Sequence, residues 1–469
     1  MITPFTFKGR IGRAPYAAWS IAIFLSQDLI PLAAGNLSSA DVRAYLIPHR
    51  ALQAVSGAGD FVPVLGTAYL LIVAWALAAL AFRRANDAYV SGWIAAFAIT
   101  PVIQILVILV LCFPPSEPDR DLVLCFASSE PGREPRTTAT HAATSQSIQT
   151  WASAAQGVLA GAGLTLGAVA LGTLVFRTYG SALFLLTPFV VGTVSAYIAN
   201  HRADIGGRQT AFTVVIAVVL GSLTLVALAV EGIICIIMAA PLGLGMALLG
   251  GVLGRAMVLQ ARRPARQPLQ CVALLPLMFA VEHVLPPSAH FETDQTIAVA
   301  APPEMVWKSI LSTDPIEGPL ALPFRLGVAY PLRGKVVGEG VGVVRYGEFS
   351  TGTAIERMTE WVPNRKLAFE VVRDIPGMRE LSPYEHVHAP HLIGYFRTIS
   401  TSFELVPRPD GGTDIIERTS HELRLDPVPY WLPMAQWIVR QNNARVLAHI
   451  RTHAERGFRA LNSNSPKRL

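Results

Sequence analysis

Charge is distributed so unevenly along this chain that its two parts must fold in different solvents. Residues 1–291 carry 17 basic and 12 acidic side chains, whereas the shorter stretch 292–469 carries 21 and 20. Long apolar runs with few charges suit a bilayer, because an isolated charge at its centre costs roughly 2.5–3.5 kcal/mol on insertion scales. The charged remainder has the composition of a domain that folds in water. The sequence predicts a polytopic membrane part followed by a globular part held at the membrane surface.

With 52% apolar and 15% charged residues, the chain departs from soluble-enzyme composition. The net charge of +6 is not a nucleic-acid signal, since all but +1 of it lies in the membrane half, where arginines at helix ends set topology. No nucleic-acid partner is expected. Cys112, Cys125, Cys235 and Cys271 form neither a disulfide framework nor a CxxC metal site. The basic start, Met1 to Arg13, leads into an apolar run that outlasts a signal peptide and lacks a small-residue cleavage site. The first helix is therefore expected to be a retained anchor.

Apolar runs of about 20 residues mark about eight expected spans, near 15–35, 62–82, 92–113, 154–176, 181–199, 211–230, 232–254 and, more weakly, 269–286. The Pro-, Ser- and Thr-rich stretch 114–150 reads as a break between two membrane modules. The expected organisation is a three-helix module at 1–118, a disordered linker at 119–150, a module of four or five helices at 151–287, a soluble domain at 288–462 and a disordered tail at 463–469. Gly157-x3-Gly161, Gly163-x3-Gly167 and Gly250-x3-Gly254 are spacings that allow close helix packing in lipid. A transport path would show several polar groups converging within the spans. Asp28 lies inside a strong span, but Glu231 falls in a turn and Glu282 in the weakest segment.

Lys8, Arg10, Arg13, Arg83 and Arg84 place the N-terminus and the second loop in the cytoplasm. Eight crossings then put the C-terminal domain inside as well, but leave Arg202, Arg208, Arg255, Arg262, Arg263 and Arg266 outside. The cluster Arg255 to Arg266 argues for that loop being inside too, which is compatible with a cytoplasmic C-terminal domain only if 269–286 lies in the interface instead of crossing.

The first module carries a specific pair of motifs: Phe7-Lys8-Gly9-Arg10-Ile11-Gly12-Arg13, and Arg83-Arg84-Ala85-Asn86-Asp87 running on to Ser91-Gly92-Trp93. The pair resembles the bacterial inner-membrane family catalogued as domain of unknown function 805, over about residues 1–118. Asn86 stands where that family usually has His. The resemblance implies a multi-pass bacterial inner-membrane location and brings no chemistry with it. Physically, Asp87 can pair with Arg83 or Arg84, and Trp93 suits the interfacial belt.

After residue 288 the pattern changes to strand alternation. Residues 292–299 lead into Ala301-Pro302-Pro303-Glu304-Met305-Val306-Trp307, where proline with a following acid marks a helix start. Six strand-like segments follow, at 333–338, 341–350, 353–361, 366–373, 396–407 and 412–424, and helical spacing of apolar residues runs from 429 to 459. This order, with its A-P-P-E-x-V-W opening, resembles the SRPBCC superfamily, the START-like or polyketide-cyclase-like helix-grip fold. The resemblance implies an α+β domain whose curved sheet wraps the terminal helix around a cavity for lipids, sterols, polyketides or similar ligands. Fold alone does not choose among these.

Alternation places Arg345 and Phe349 on one face of their strand and Tyr346 on the other. If the first face is concave, Arg345 points a cation into an apolar interior, suited to a carboxylate or phosphate head group. Glu417 and His421 share a face of the last strand. These charges either pair across the sheet or meet a ligand. The loop holding Glu385, His386, His388 and His391 reads as a metal cluster or as a polar loop over the cavity mouth; the loop reading is preferred, with His391 beside the ligand. His449 and His453 lie four residues apart on one helical face, a spacing more often solvated or acid-paired than metal-bound. Neither a metal nor a cofactor is expected, and there is no nucleophile elbow, phosphate loop or HExxH.

These readings converge on a membrane-anchored protein whose soluble domain binds a hydrophobic or amphipathic ligand, with Arg345, Tyr346, Phe349, His391, Glu417 and His421 as candidate contacts. An enzyme acting on a lipid-like substrate and a structural partner-binding module stand as alternatives. Self-association is compatible with all three.

Overall fold

The computed structural model describes residues 4–27, 62–88, 90, 92–99, 103–114, 116, 139–201, 205–260, 272, 274–382 and 392–463. Two compact units emerge, Met1–Glu231 with Cys235–Pro286, and Gly232–Ile234 with Pro287–Leu469.

In the first unit the helices are α1 (Arg13–Ser26), α2 (Val62–Asp87), α3 (Ile103–Cys112), α4 (Ala139–Ala170), α5 (Thr187–His201), α6 (Gly207–Ala227), α7 (Ile233–Gln260) and α8 (Leu274–Val284). Among the described residues, four stretches are long and apolar enough to cross a membrane: Thr150–Phe176, Ala182–His201, Gly207–Ala227 and Ile233–Leu259. Of the other expected spans, 62–82 lies within α2, a helix of 26 residues, and 15–35 extends beyond the described residues. Within 92–113 the described residues form a 3-10 helix, Gly92–Ile99, and α3. At 11 residues α8 is about 16 Å long, half a bilayer core. Helix α4 starts at Ala139, inside the segment expected to be disordered. Its Ala-rich beginning, with Ala139, Ala142 and Ala143, favours helix before the apolar run starts. Asp28, Trp93 and Arg262 to Arg266 lie outside what is described of side chains.

The motif residues of the N-terminal module meet in space. The Phe7 ring sits edge-on to Trp75 at 4.9 Å and to Phe82 at 5.5 Å. Gly92 lies where a Cβ would come within 2.6 Å of the Phe82 ring, so the glycine is a packing requirement. Arg84 is fully buried and pairs with Asp87; its Nε donates to the Leu111 carbonyl at 3.0 Å, and its guanidinium also reaches the Pro114 carbonyl. A buried guanidinium this fully hydrogen-bonded closes α2 onto the end of α3.

Several threonines in the second set of helices are satisfied locally. Thr165, Thr173, Thr193 and Thr213 each donate to the carbonyl one turn back. The N–H of Ala182, orphaned at the start of its helical segment, donates to Glu282 Oε1 at 2.8 Å, and Tyr179 Oη donates to Glu231 Oε1 at 2.7 Å. These two carboxylates anchor the Tyr179–Ala182 turn.

Glycines set the helix spacing. A Cβ at Gly192 would overlap the Ala247 carbonyl, one at Gly250 the Phe189 carbonyl and one at Gly254 the Thr193 carbonyl, so α5 and α7 touch backbone to backbone. Gly157 meets the Ser195 carbonyl in the same way and Gly161 the Ser195 side chain, whereas Gly163 and Gly167 face open space. The expected close packing holds for two of the three glycine pairs.

The second unit is an α+β domain. Strand β1 (Ala289–Val299) is followed by short helices α9 (Pro303–Ile310) and α10 (Leu322–Leu326). Strands β2 (Pro331–Val337), β3 (Val344–Phe349), β4 (Gly352–Val362), β5 (Lys366–Arg373), β6 (Phe396–Pro407) and β7 (Thr413–Leu423) come next, and helix α11 (Val428–Ser463) closes the chain. The seven strands form one antiparallel sheet in the order β1-β7-β6-β5-β4-β3-β2. Strands β2 to β7 are joined in sequence, and β1 crosses over to pair with β7. Helix α11 buries Val439, Asn443, Leu447, Ile450 and Ala454, a stripe spaced by three and four residues. That stripe packs on the inner sheet face at Met358, Leu367, Phe369, Phe403, Leu405 and Ile415, with Val306 and Trp307 of α9 completing the core.

Gly192→Val should destabilise the helix bundle by about 1–3 kcal/mol, the usual range for overpacking, while Gly163→Val should be close to neutral. Unfolding titrations of the full chain in detergent micelles would show it; equal effects at both positions would contradict the packing.

Candidate functional site

The inner face of β7 is buried along its whole length at Thr413, Ile415, Glu417, Thr419, His421 and Leu423. Toward one end this face is hydrocarbon. Toward the other it turns polar, and the register brings polar partners beside it: Thr293 of β1 and Thr401 of β6 both lie opposite Thr419. The hydroxyls of Thr293 and Thr419 are 2.7 Å apart, and Asn443 Nδ2 of α11 donates to both at 3.2 Å. His421 Nε2 lies 2.8 Å from the Thr419 hydroxyl, and its ring stacks on Phe291, at 5.1 Å, and on Phe396, at 5.4 Å, the two phenyl rings being 6.4 Å apart.

Two atoms in this region are left over. Glu417 Oε2 and His421 Nδ1 are buried without a hydrogen-bond partner, in side chains of residues only 3% and 4% exposed. Across the ladder Glu417 is flanked by Gln295 and Phe403, neither of which carries charge. Burial alone pushes the Glu417 carboxyl up to about 8 and the His421 imidazole down to about 4. At neutral pH Glu417 holds its proton and His421 is uncharged.

Arg345 and Glu356 are cross-strand partners on β3 and β4 and form an ion pair. The guanidinium lies 4.6 Å above the Phe369 ring. Glu356 is 4% exposed; burial pushes its carboxyl up, and Arg345 draws it part of the way back. Phe349 shares this face, its ring lying over the position where Gly347 has no Cβ. Arg345 lies on the sheet face that carries the core, but its cation is already compensated by Glu356. Tyr346 occupies the opposite face and is 39% exposed. His391, with Glu385, His386 and His388, lies outside the described residues. His453 Nε2 lies 3.4 Å from Asp314, and burial lowers the neighbouring His449. Among the described residues no group of three or more His, Cys, Asp or Glu converges to hold a metal ion.

The sequence reading missed Glu356, Thr293, Thr419 and Asn443. Glu356 carried a signal, being a charge between Ala354 and Met358 on a buried strand face. The other three carried none, since their partners lie 24 to 150 residues away.

The described chain thus combines four helices long and apolar enough to cross a membrane with a seven-stranded antiparallel sheet packed on a long helix around a partly polar interior. Residues 4–121 match the family described as Protein of unknown function (DUF805). No curated protein matches the chain. Solved structures similar to it include the ZhuI aromatase/cyclase from Streptomyces sp. R1128 (16% identity, 36% of this chain and 94% of that one, TM-score 0.24). The Aha1 dimer from Colwellia psychrerythraea is similar at 15% identity, over 35% of this chain and 96% of that one, with a TM-score of 0.22. An uncharacterised protein from Rhizobium leguminosarum is similar at 12% identity, over 36% and 97%, with a TM-score of 0.25.

Removing one member of the Arg345–Glu356 pair leaves the other charge buried and unpaired, a loss of about 3–5 kcal/mol for a fully buried pair. Arg345 is partly exposed, so Arg345→Met should cost about 1–3 kcal/mol. The double variant Arg345→Met with Glu356→Leu should recover most of it in chemical denaturation, whereas additive losses would show that the two do not depend on each other.

Folding holds the Glu417 proton more tightly than the unfolded chain does, because about 8 lies above the ordinary 4.5. The stability this contributes is complete below the ordinary value and is lost as pH rises toward about 8. Glu417→Gln should therefore flatten the fall in domain stability across that window; a slope identical to that of the parent would assign it to other groups.

Proposed function

We propose that this chain is a membrane-anchored binding protein whose C-terminal domain holds a hydrophobic or amphipathic ligand between its sheet and α11, as a carrier, sensor or regulator at the bilayer. The observation that supports it is the pair Glu417 and His421. Buried polar atoms are almost always hydrogen-bonded, so two orphans on one strand face, beside the aromatic rings Phe291, Phe396 and Phe403, suit the polar end of an otherwise apolar molecule. Phe349 and the Arg345–Glu356 pair supply further contacts on the same sheet face.

A second reading, an enzyme acting on a lipid-like substrate, draws on the same two groups. A carboxylic acid that keeps its proton and an imidazole that stays neutral can serve as acid and base in one site.

In the membrane part, the four long helices are joined in this reading by crossings at 15–35, 62–82 and 92–113 and by 269–286, to a total of about eight. The location is a bacterial inner membrane, with the N-terminus and the C-terminal domain cytoplasmic, on the strength of Lys8, Arg10, Arg13, Arg83 and Arg84.

Organic extracts of the purified full chain, analysed by mass spectrometry, should contain one discrete apolar compound that is depleted in the Glu417→Leu variant. Extracts with bulk membrane lipid alone would sink the binding reading, and turnover of the compound would favour the enzyme. Reporter fusions after Gln267 and Leu469 test the placement: a periplasmic signal at Leu469 would overturn it.

A further inference from the structure

Among the described residues, the cations Arg345 and Arg445 on the helix-facing side of the sheet are both committed. Arg345 is neutralised by Glu356 directly opposite it. Arg445, reaching inward from α11, donates to the backbone carbonyls of Pro331 and Ile316 and stacks at 5.3 Å on Tyr330. The polar end of β7 is surrounded by uncharged neighbours: Thr293 and Gln295 on β1, Thr401 and Phe403 on β6, and Asn443 on α11. Gln295 itself is committed, donating to the Arg440 carbonyl at 2.9 Å. An anion placed beside Glu417 would lose its hydration with none of these described neighbours carrying a positive charge to replace it, a penalty of several kcal/mol per ion.

Resting on the binding reading above, we infer that the ligand group held by Glu417 and His421 is uncharged: a hydroxyl or a carbonyl on an otherwise apolar molecule, and not a carboxylate or phosphate head group. The protonated carboxyl of Glu417 donates to a ligand oxygen. His421, whose Nε2 faces the Thr419 hydroxyl, has Nδ1 left to accept from a ligand hydroxyl or donate to a ligand carbonyl, according to its tautomer. Phe291 and Phe396, both against the imidazole and against each other, keep that end of the interior apolar. This replaces the sequence-level expectation of an anionic head group at Arg345, whose charge is spent on Glu356.

The test uses the full chain in lipid nanodiscs and three photoreactive C12 probes sharing one benzophenone label: an alcohol, a carboxylate and a phosphate monoester. Labelled peptides within residues 287–463 are quantified by mass spectrometry. The alcohol should label the domain at least about tenfold more than either anion, the ratio expected where a desolvated charge goes unpaired. Glu417→Gln keeps an uncharged donor in the same place and should retain labelling within about threefold. Glu417→Leu, which has none, should lose about tenfold. Equal or stronger labelling by the carboxylate or phosphate would overturn the inference, as would loss of alcohol labelling in the Gln variant, which would mean that an ionised carboxylate is required. Absence of labelling by all three probes in the parent chain would instead remove the binding reading itself, and this inference with it.

Discussion

The seating of the long terminal helix on its sheet rests on one small hydrogen-bonded cluster. Asn443 projects from α11 between the Thr293 and Thr419 hydroxyls, which also touch each other, and so joins the first strand, the last strand and the last helix at a single point. In a water-poor interior such a cluster is strongly directional, because any slip of the helix by one turn would bury an amide and two hydroxyls without partners. The hydrocarbon stripe of Leu447, Ile450 and Ala454 supplies adhesion, but apolar contact is non-directional and would tolerate several seatings. The polar cluster selects one.

That selection gives meaning to the two groups beside it. The polar row is complete at Thr293, Thr419 and Asn443 and incomplete at Glu417 and His421. A fold that satisfies three buried polar side chains so closely has the means to satisfy two more, or to replace them with hydrocarbon. A proton-bearing acid and a neutral imidazole on one strand face, against aromatic rings, leave hydrogen-bonding capacity unused, which is the basis of the binding proposal.

In the membrane unit the constraint is the lipid itself. Backbone groups must be satisfied inside each helix, so association between α5 and α7 depends on how closely their backbones approach, which Gly192, Gly250 and Gly254 decide. Where a helix starts anew at Ala182, the missing acceptor comes from Glu282, a residue of another helix. Carboxylates that look out of place in an apolar sequence are there to close turns.

The sequence by itself determined the division between bilayer and water, because hydrophobicity is additive over a window and needs no tertiary knowledge. It also determined the strand faces: a period of two in residues 343–349 and 413–423 puts Arg345 with Phe349, and Glu417 with His421, whatever the sheet looks like. The strand and terminal-helix segments read from alternation coincide with β1 to β7 and α11 to within a few residues. Only the tertiary structure decided what each inward side chain meets. Glu356 became the partner of Arg345 through the register of β3 on β4, and Thr293 met Asn443 across 150 residues of chain. Hydrogen bonds and ion pairs act over a few ångströms in a fixed direction, so they depend on registers and crossovers that no local pattern specifies.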